Sequence, residues 1–239
     1  MRKRVLITGA SRGIGAATAR VLAKAGYDLF LVCRDSKQEL ICLKTELESE
    51  YSISCETYFC DVSEPLRVDK MIEQAGTIHV LINNAAISHV GLLTDMTLEQ
   101  WQQVMNVNLN SLFYTCRRVI PQMVSRKEGK IINVSSIWGN AGASMEVAYS
   151  TAKGGVNSFT KALAKELAPS GIQVNAVAFG VIDTQMNACL SEEERNNLIE
   201  EIPADRLGTA QEAGEMIRQI LTSPSYLTGQ IITMDGGFI

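Results

Sequence analysis

The 239-residue sequence predicts an α/β fold: one domain built on a doubly wound sheet of seven mainly parallel strands flanked by helices. Three observations predict it. Short β-branched runs alternate with longer helical patterns from one end of the chain to the other. The clearest runs, Val5-Leu6-Ile7 and Leu29–Val32, are apolar at consecutive positions, as strands buried on both faces must be. No Pro/Gly/Ser-rich linker and no internal repeat divides the chain, so residues 1–239 read as a single domain.

Taken in order, strands are expected at 5–7, 29–32, 56–59, 79–82, 130–134, 173–177 and 230–234. Helical patterns fill the intervals at 14–25, 37–50, 64–75, 97–124, 150–168 and 209–222. Each helix makes a crossover between strands, and repeated crossovers stack helices on both faces of a parallel sheet. The rhythm breaks at about 180–208. No clear strand follows Gly180, and Ser191 with Glu194 three residues on forms a capping box that opens a short helix. An irregular insertion after a late strand, at the carboxyl edge of the sheet, is where a substrate lid would sit.

Composition narrows the function classes. A hydrophobic fraction of 46% and a charged fraction of 20% support a sizeable core. The net charge of −4 argues against a nucleic-acid surface, which would carry a basic excess. No apolar run approaches the ~20 residues needed to span a bilayer, and Met1 leads directly into the first strand without a signal-peptide pattern. The six cysteines (Cys33, Cys42, Cys55, Cys60, Cys116 and Cys189) contain no C-x-x-C pair and read as free thiols in a reducing compartment, so the cytoplasm is the expected location. Two histidines, His79 and His89, give a metal site or a Ser-His-Asp triad little to build on.

Thr8-Gly9-Ala10-Ser11-Arg12-Gly13-Ile14-Gly15 follows the first strand and opens the first helix. Glycines there let the backbone turn sharply and approach a pyrophosphate, whose charge faces the helix N-terminus. The spacing is G-x-x-x-G-x-G rather than G-x-G-x-x-G, and such a turn can also merely connect strand to helix. Its place in the first βα turn of a Rossmann-like pattern makes Gly9, Ser11, Arg12, Gly13, Ile14 and Gly15 the candidate dinucleotide cradle. Asp35 lies 20 residues after Gly15, about where a carboxylate would hold a ribose 2′-hydroxyl. Arg34 precedes it and Arg12 sits in the glycine turn; two guanidinium groups near one ribose favour a 2′-phosphate. The expected cofactor is NADP(H).

Tyr149 and Lys153 stand four apart on a helix, hence on one face. A free tyrosine titrates at ~10, too high for acid/base work near neutrality. A cation beside the phenol would stabilise phenolate, and a pKa near 7 would take ~4 kcal/mol of such stabilisation. Y-x-x-x-K is common by chance, but here it follows a strand ending in Val134-Ser135-Ser136, which can supply a hydroxyl for a substrate oxygen. Adjacent serines alternate faces, so only one of the two can point at the substrate.

With TGASRGIG at 8–15, NNAA at 83–86, Asn108 in MNVNL, Ser136 in NVSS and YSTAK at 149–153, the chain resembles the classical short-chain dehydrogenase/reductase family over essentially its whole length. The resemblance implies a carbonyl/alcohol oxidoreductase in which Tyr149 is the proton donor and Lys153 lowers its pKa and binds the ribose. It further implies that Ser136 orients the carbonyl and Asn108, rather than Asn106, anchors a relay water. Asn84, Ala85 and Ala86 would line the cofactor, Asp61 and Val62 the adenine, and Gly180, Ile182 and Thr184 the nicotinamide. The family's acidic NAD-selecting position aligns with Arg34, in favour of NADPH. Two positions depart from the family pattern: Ala86 stands for its usual Gly, and Phe179 for the usual Pro before Gly180.

Within the family, the TGASRGIG start, the KALAKELA helix (161–168) and the closing DGG (235–237) resemble 3-oxoacyl-[acyl-carrier-protein] reductases of fatty acid biosynthesis. That likeness implies reduction of a 3-oxoacyl thioester, with Arg126, Lys127 and Lys130 as candidates to receive an acidic carrier protein near the pocket mouth. SSIWGNAGASMEVAYS and GVIDTQMNACLSEEE resemble instead the 5-aminopentanone reductase that acts on modified elongation factor P. Trp138 and Glu146 lie between Ser136 and Tyr149 on the expected pocket wall, where Glu146 would suit an amine-bearing substrate. A steroid or sugar-alcohol dehydrogenase is a weaker alternative. A non-catalytic NADP-sensing regulator would lack the tyrosine or the lysine, and both are present. Association as a homotetramer, or failing that a dimer, is expected through 97–124 and 150–168, on faces carrying Leu109, Leu112, Phe113, Phe159 and Leu163.

Overall fold

Residues 2–188 and 191–239 are described by a computed structural model. In chain order the first half runs β1 (Arg4–Thr8), α1 (Gly13–Lys24), β2 (Asp28–Cys33), α2 (Lys37–Glu50), β3 (Cys55–Phe59), α3 (Pro65–Ala75), β4 (Val80–Asn83), α4 (Leu98–Met105) and α5 (Ser111–Arg126). The second half runs β5 (Gly129–Ser136), α6 (Trp138–Ala141), α7 (Val147–Leu167), β6 (Ile172–Phe179), β7 (Ile182–Asp183), α8 (Glu192–Glu201), β8 (Gly208–Thr209), α9 (Ala210–Thr222) and β9 (Ile231–Met234). Successive strand side chains point to opposite faces. Val5, Ile7, Leu29 and Leu31 therefore join Leu22, Leu40 and Ile217 in a core beneath α1, α2 and α9. Leu6, Phe30 and Val32 join Val68, Val119 and Leu163 in a second core beneath α3, α5 and α7.

The sheet has the order β3-β2-β1-β4-β5-β6-β9, and all six pairings are parallel, so the expected seven strands are present without an antiparallel member. From β1 the chain winds outward to β3, then returns to β4 on the other side of β1 and winds outward again. That reversal leaves a crevice at the carboxyl ends of β1 and β4, the place where such sheets take ligands.

Three details differ from the expected elements. The helical pattern at 97–124 divides into α4, a π turn over Asn106–Asn110, and α5. In the widened turn the Ser111 N–H reaches back five residues to the Asn106 carbonyl. The catalytic-motif helix starts at Val147, one turn before 150. The insertion at 180–208 holds a two-residue strand, β7, which pairs with β8 and so closes the insertion at its base. Two residues are too few for alternation to show in the sequence. The Ser191–Glu194 capping box forms as expected, and Arg195 anchors α8 to Asp183 through two hydrogen bonds of 3.0 and 2.9 Å. Cys33, Cys42, Cys55, Cys60 and Cys116 carry free thiols, whereas Cys189 lies outside the described residues. Among the described residues no helix is long and apolar enough to cross a membrane.

Candidate active site

The glycine turn is built against the end of β4. Gly9 has φ +65°, in the left-handed region, and a Cβ there would stand 2.8 Å from the Ala85 Cα; a Cβ on Gly15 would collide with the Gly9 carbonyl oxygen. Thr8 Oγ1 accepts the N–H groups of Asn84 and Ala85 at 3.0 and 3.1 Å. Asn84 Nδ2 donates in return to the Thr8 and Gly9 carbonyls at 3.0 and 2.9 Å. The Asn84 side chain thus holds the turn in shape, and its main chain with Ala85 and Ala86 borders the crevice. Helix α1 then starts at Gly13 behind an extended Arg12, with no side chain capping its first turn. Its leading N–H groups are left for an anion. Ser11 and Ile14 are half-buried beside them, and the Thr184 methyl lies 3.3 Å from where a Cβ on Gly13 would be. The insertion therefore begins against the cradle.

The candidate catalytic groups meet at the end of β5. Ser136 is buried; its Oγ accepts the Trp138 N–H at 3.2 Å, and its hydroxyl stands near enough to the Tyr149 phenol to lower its pKa. Ser135, the neighbouring serine, donates to Asn157 Oδ1 at 2.6 Å. Lys153 is 2% exposed, its Nζ lies 5.5 Å from the Tyr149 ring centroid, and it donates to the Val134 carbonyl at 2.8 Å. Burial pushes this lysine down to about 8. The phenol moves the other way. Burial first, then the Glu146 carboxylate, push Tyr149 up to about 12 against the lowering effect of the Ser136 hydroxyl. Burial and Glu146 set this direction, while the Lys153 ammonium spends its hydrogen bond on the Val134 carbonyl.

Asn108 occupies the π turn and is buried, with Oδ1 accepting the Ile87 N–H and Nδ2 donating to the Ile87 carbonyl, both at 2.8 Å. Asn106 instead accepts from Asn110 at 2.7 Å on the helix surface. On the wall between Ser136 and Tyr149, Glu146 accepts the Ser88 hydroxyl at 2.6 Å, and the Gly91 N–H donates to the Met145 carbonyl at 2.8 Å. The loop after β4 is therefore tied to the glycine turn, the π turn and the start of α7. Trp138 is half-buried on the same wall.

At the far end of the crevice, a cavity of about 430 Å³ is lined by Arg34, Asp35, Lys37, Phe59, Cys60, Asp61 and Arg67. Arg34 Nε donates to Asp35 at 2.6 Å, and its other nitrogen lies 3.8 Å from Asp61 Oδ2. Asp61 also accepts from Ser63, and Val62 is buried beside it. Lys37 lies 5.2 Å above the Phe59 ring. Arg12 is exposed at the glycine turn.

A family model described as short chain dehydrogenase matches residues 3–195. The chain belongs to the short-chain dehydrogenase family. It is 40% identical over 240 aligned residues to a protein of Bacillus subtilis (strain 168) named "Uncharacterized oxidoreductase YmfI", covering 100% of this chain and 99% of the relative. It is 38% identical to the 3-oxoacyl-[acyl-carrier-protein] reductase FabG of Thermotoga maritima, covering 98% and 96% of the two chains. The reductase of the same name from Aquifex aeolicus (strain VF5) is 35% identical, with 97% and 95% covered. Among solved structures, a blue fluorescent protein from a metagenomic library, in complex with NADPH, superposes with a TM-score of 0.92 at 32% identity, covering 99% of this chain and 97% of that one. This short-chain dehydrogenase is an oxidoreductase of Rossmann-like architecture.

Other expectations are corrected by position. Arg126, Lys127 and Lys130 lie at the amino end of β5, roughly 20 Å from Ser136 at ~3.3 Å per strand residue. They do not flank the pocket mouth, and Lys130 instead caps the end of α9 by donating to the Leu221 carbonyl at 2.6 Å. Phe179, which stands where the family has Pro, turns into the core below α1 and α9 at 3% exposure. Sequence reasoning missed Lys37, Arg67 and Ser88. Each acts across a long sequence separation, and no local motif marks it.

Proposed function

We propose that this short-chain dehydrogenase is an NADPH-dependent ketone reductase. The observation that carries the reading is the gathering of Ser136, Tyr149 and a buried Lys153 at the end of β5, with Lys153 Nζ 5.5 Å from the Tyr149 ring, beside a glycine turn whose helix N-terminus is uncapped. The glycine cradle suits a dinucleotide because Cβ atoms would fill it. Arg12 and Arg34, with Lys37 and Arg67 near Arg34, supply cations for a 2′-phosphate. The NADPH complex of a relative with the same fold supports this choice. Bound NADPH would supply the hydride received by the carbonyl carbon.

The chain's own residues do the rest. Ser136 Oγ orients the carbonyl oxygen, and Tyr149 Oη delivers its proton to that oxygen. One hydride and one proton thereby convert the C=O into a secondary alcohol. A phenol held at about 12 remains protonated throughout the neutral range, which is the form that reduction requires. Buried Lys153 holds a ribose hydroxyl and offers a positive charge to the phenolate left behind. Asn108 fixes the Ile87 backbone beside the pocket and supports a relay water. Residues 180–208 close over the substrate as a lid.

The substrate read first is a 3-oxoacyl thioester carried by an acyl carrier protein, as the names of the relatives from Thermotoga maritima and Aquifex aeolicus suggest. One observation favours a second reading: Glu146 stands close enough to Tyr149 to raise its pKa. A carboxylate there would hold the amine of an amino-ketone, such as the 5-aminopentanone group on elongation factor P, and contributes nothing to an acyl chain. NADPH consumption against acetoacetyl thioester and a small amino-ketone separates the two. Faster thioester turnover, indifferent to Glu146→Gln, supports the first reading. Preference for the amino-ketone that Glu146→Gln reduces by roughly ten-fold supports the second. No turnover of either ketone in the presence of NADPH would refute both.

A further inference from the structure

The residues after β9 fold back as a hook. Asp235 Oδ1 accepts the Gly237 N–H at 3.0 Å and Oδ2 accepts the Ile239 N–H at 3.1 Å. Gly236 and Gly237 both have positive φ, +71° and +85°, a reversal that side-chain-bearing residues rarely make. The hook is wedged against the closing end of the 180–208 insertion. The Ala204 N–H donates to the Gly236 carbonyl at 3.1 Å, and a Cβ on Gly237 would lie 3.5 Å from the Pro203 ring.

This turn delivers the half-buried Phe238 ring to Trp138, edge to face, with centroids 5.7 Å apart and planes at 63°. The backbone carrying Trp138 is already fixed. Its N–H bonds Ser136 Oγ, a Cβ on Gly139 would stand 2.7 Å from the Lys153 carbonyl carbon, and Asn140 accepts from Asn157 at 2.8 Å. The indole itself is not held by those bonds. Among the described residues, its aromatic partner is Phe238.

We propose that Phe238 is a positioning residue for the ketone: it sets the Trp138 indole as the pocket wall beside Ser136 and joins that wall to the end of the insertion. The role rests on the reading of Ser136 and Tyr149 as the carbonyl-binding pair. An apolar group next to the carbonyl then packs on an indole held at a fixed angle. Without Phe238 the indole gains rotamers, and ketone binding weakens while the cofactor cradle, built from β1, α1 and β4, is untouched.

The test uses the full-length enzyme with NADPH and ethyl acetoacetate. Phe238→Ala should raise KM for the ketone about three- to ten-fold, the factor expected from losing one edge-to-face pair. KM for NADPH should stay unchanged and kcat should stay within about two-fold, while Phe238→Tyr, which keeps the ring, should restore the ketone KM. A second readout does not need turnover: in a Trp101→Phe background the remaining emission is that of Trp138, and Phe238→Ala should shift it to the red while Phe238→Tyr should not. An unchanged ketone KM overturns the proposal and leaves the reductase reading standing. So does a uniform loss in kcat and both KM values, which would mark a general structural role. An unaltered enzyme that reduces no ketone would overturn the functional reading and this role with it.

Discussion

At the scale of single residues, charge is placed where burial changes its cost. Arg34 is already engaged by Asp35 and Asp61, so a 2′-phosphate must compete with two carboxylates for it. The phosphate brings more charge and a matching fork geometry. Arg34→Ala should therefore weaken NADPH roughly ten- to hundred-fold, from ~1.5–3 kcal/mol for a charge-assisted bond, and leave NADH nearly unchanged. Cofactor titration of the unaltered protein decides the matter, since equal affinity for NADH and NADPH would contradict the assignment. Lys153 carries a linked stability cost. Its folded value, about 8, lies below the 10.5 of an unfolded lysine. The unfolded chain binds more protons between these values, so stability rises with pH across that window and the penalty is fully present below it. That penalty is about 3 kcal/mol at ~1.36 kcal/mol per pH unit. Lys153→Met should melt higher than the unaltered protein at pH 7, by about 1–2 kcal/mol after the lost bond to Val134 is set against it. The difference should narrow as pH approaches 10, and thermal melts at the two pH values check both the sign and the trend.

At the scale of elements, a buried polar network fixes the helices that carry the site. Asn83 Nδ2 donates to Asn133 Oδ1 at 2.9 Å, Thr115 donates to Asn83 at 2.8 Å, and Asn133 Nδ2 donates to Thr160 at 2.9 Å. These bonds link β4 and β5 to α5 and α7 beneath the catalytic pair, and every member has a partner. Asn133→Leu would remove the Asn133 bonds to Asn83 and Thr160, leaving Asn83 Nδ2 with the weak Cys116 sulfur, and should cost about 1–3 kcal/mol in urea unfolding. Far smaller losses would mean the network matters little. Asn83 and Asn133 interrupt their strands without obscuring them, because the neighbouring residues Val80–Ile82 and Ile131–Ile132 are apolar. That is why the inner strands were legible: strands buried on both faces leave unbroken apolar runs, whereas the edge strands β3 and β9 are only partly buried. The glycine turn and the Ser136–Tyr149–Lys153 set were legible because each motif sits inside one βα unit. The pairing of β7 with β8 was not, since its partners lie far apart in the chain, and the π turn and the hook at Asp235 were not, since neither interrupts the local pattern that reads as helix or loop. Arg126 and Lys130 misled for the same reason, because composition does not tell one end of a strand from the other.

At the scale of the whole molecule, the question is which surfaces remain to be covered. Leu112 and Leu163, expected on an association face, are instead buried within the chain, Leu163 in its second core, and Leu109 and Phe159 are half-buried. Phe113 alone of that set stands well exposed, at 53%, with Arg117 stacked 5.8 Å from its ring. It lies on α5, at the outer surface of the second helical layer. A separate surface lies at the sheet edge, where β9 pairs only with β6 and Tyr226 in the preceding turn is 99% exposed. An open parallel edge with half-buried Ile231, Ile232 and Met234 invites cover. Two unlike faces, each closing on itself by a two-fold axis, generate a tetramer with three perpendicular two-folds, whereas either alone gives a dimer. The expected outcome in light scattering at micromolar concentration is a tetramer. Phe113→Asp should leave dimers held by the β9 edge, and Tyr226→Asp should leave dimers held by α5, because a buried unpaired carboxylate in either contact costs several kcal/mol. A monomer from the unaltered chain would refute this assembly, and a tetramer that survives both substitutions would place the contacts on other surfaces.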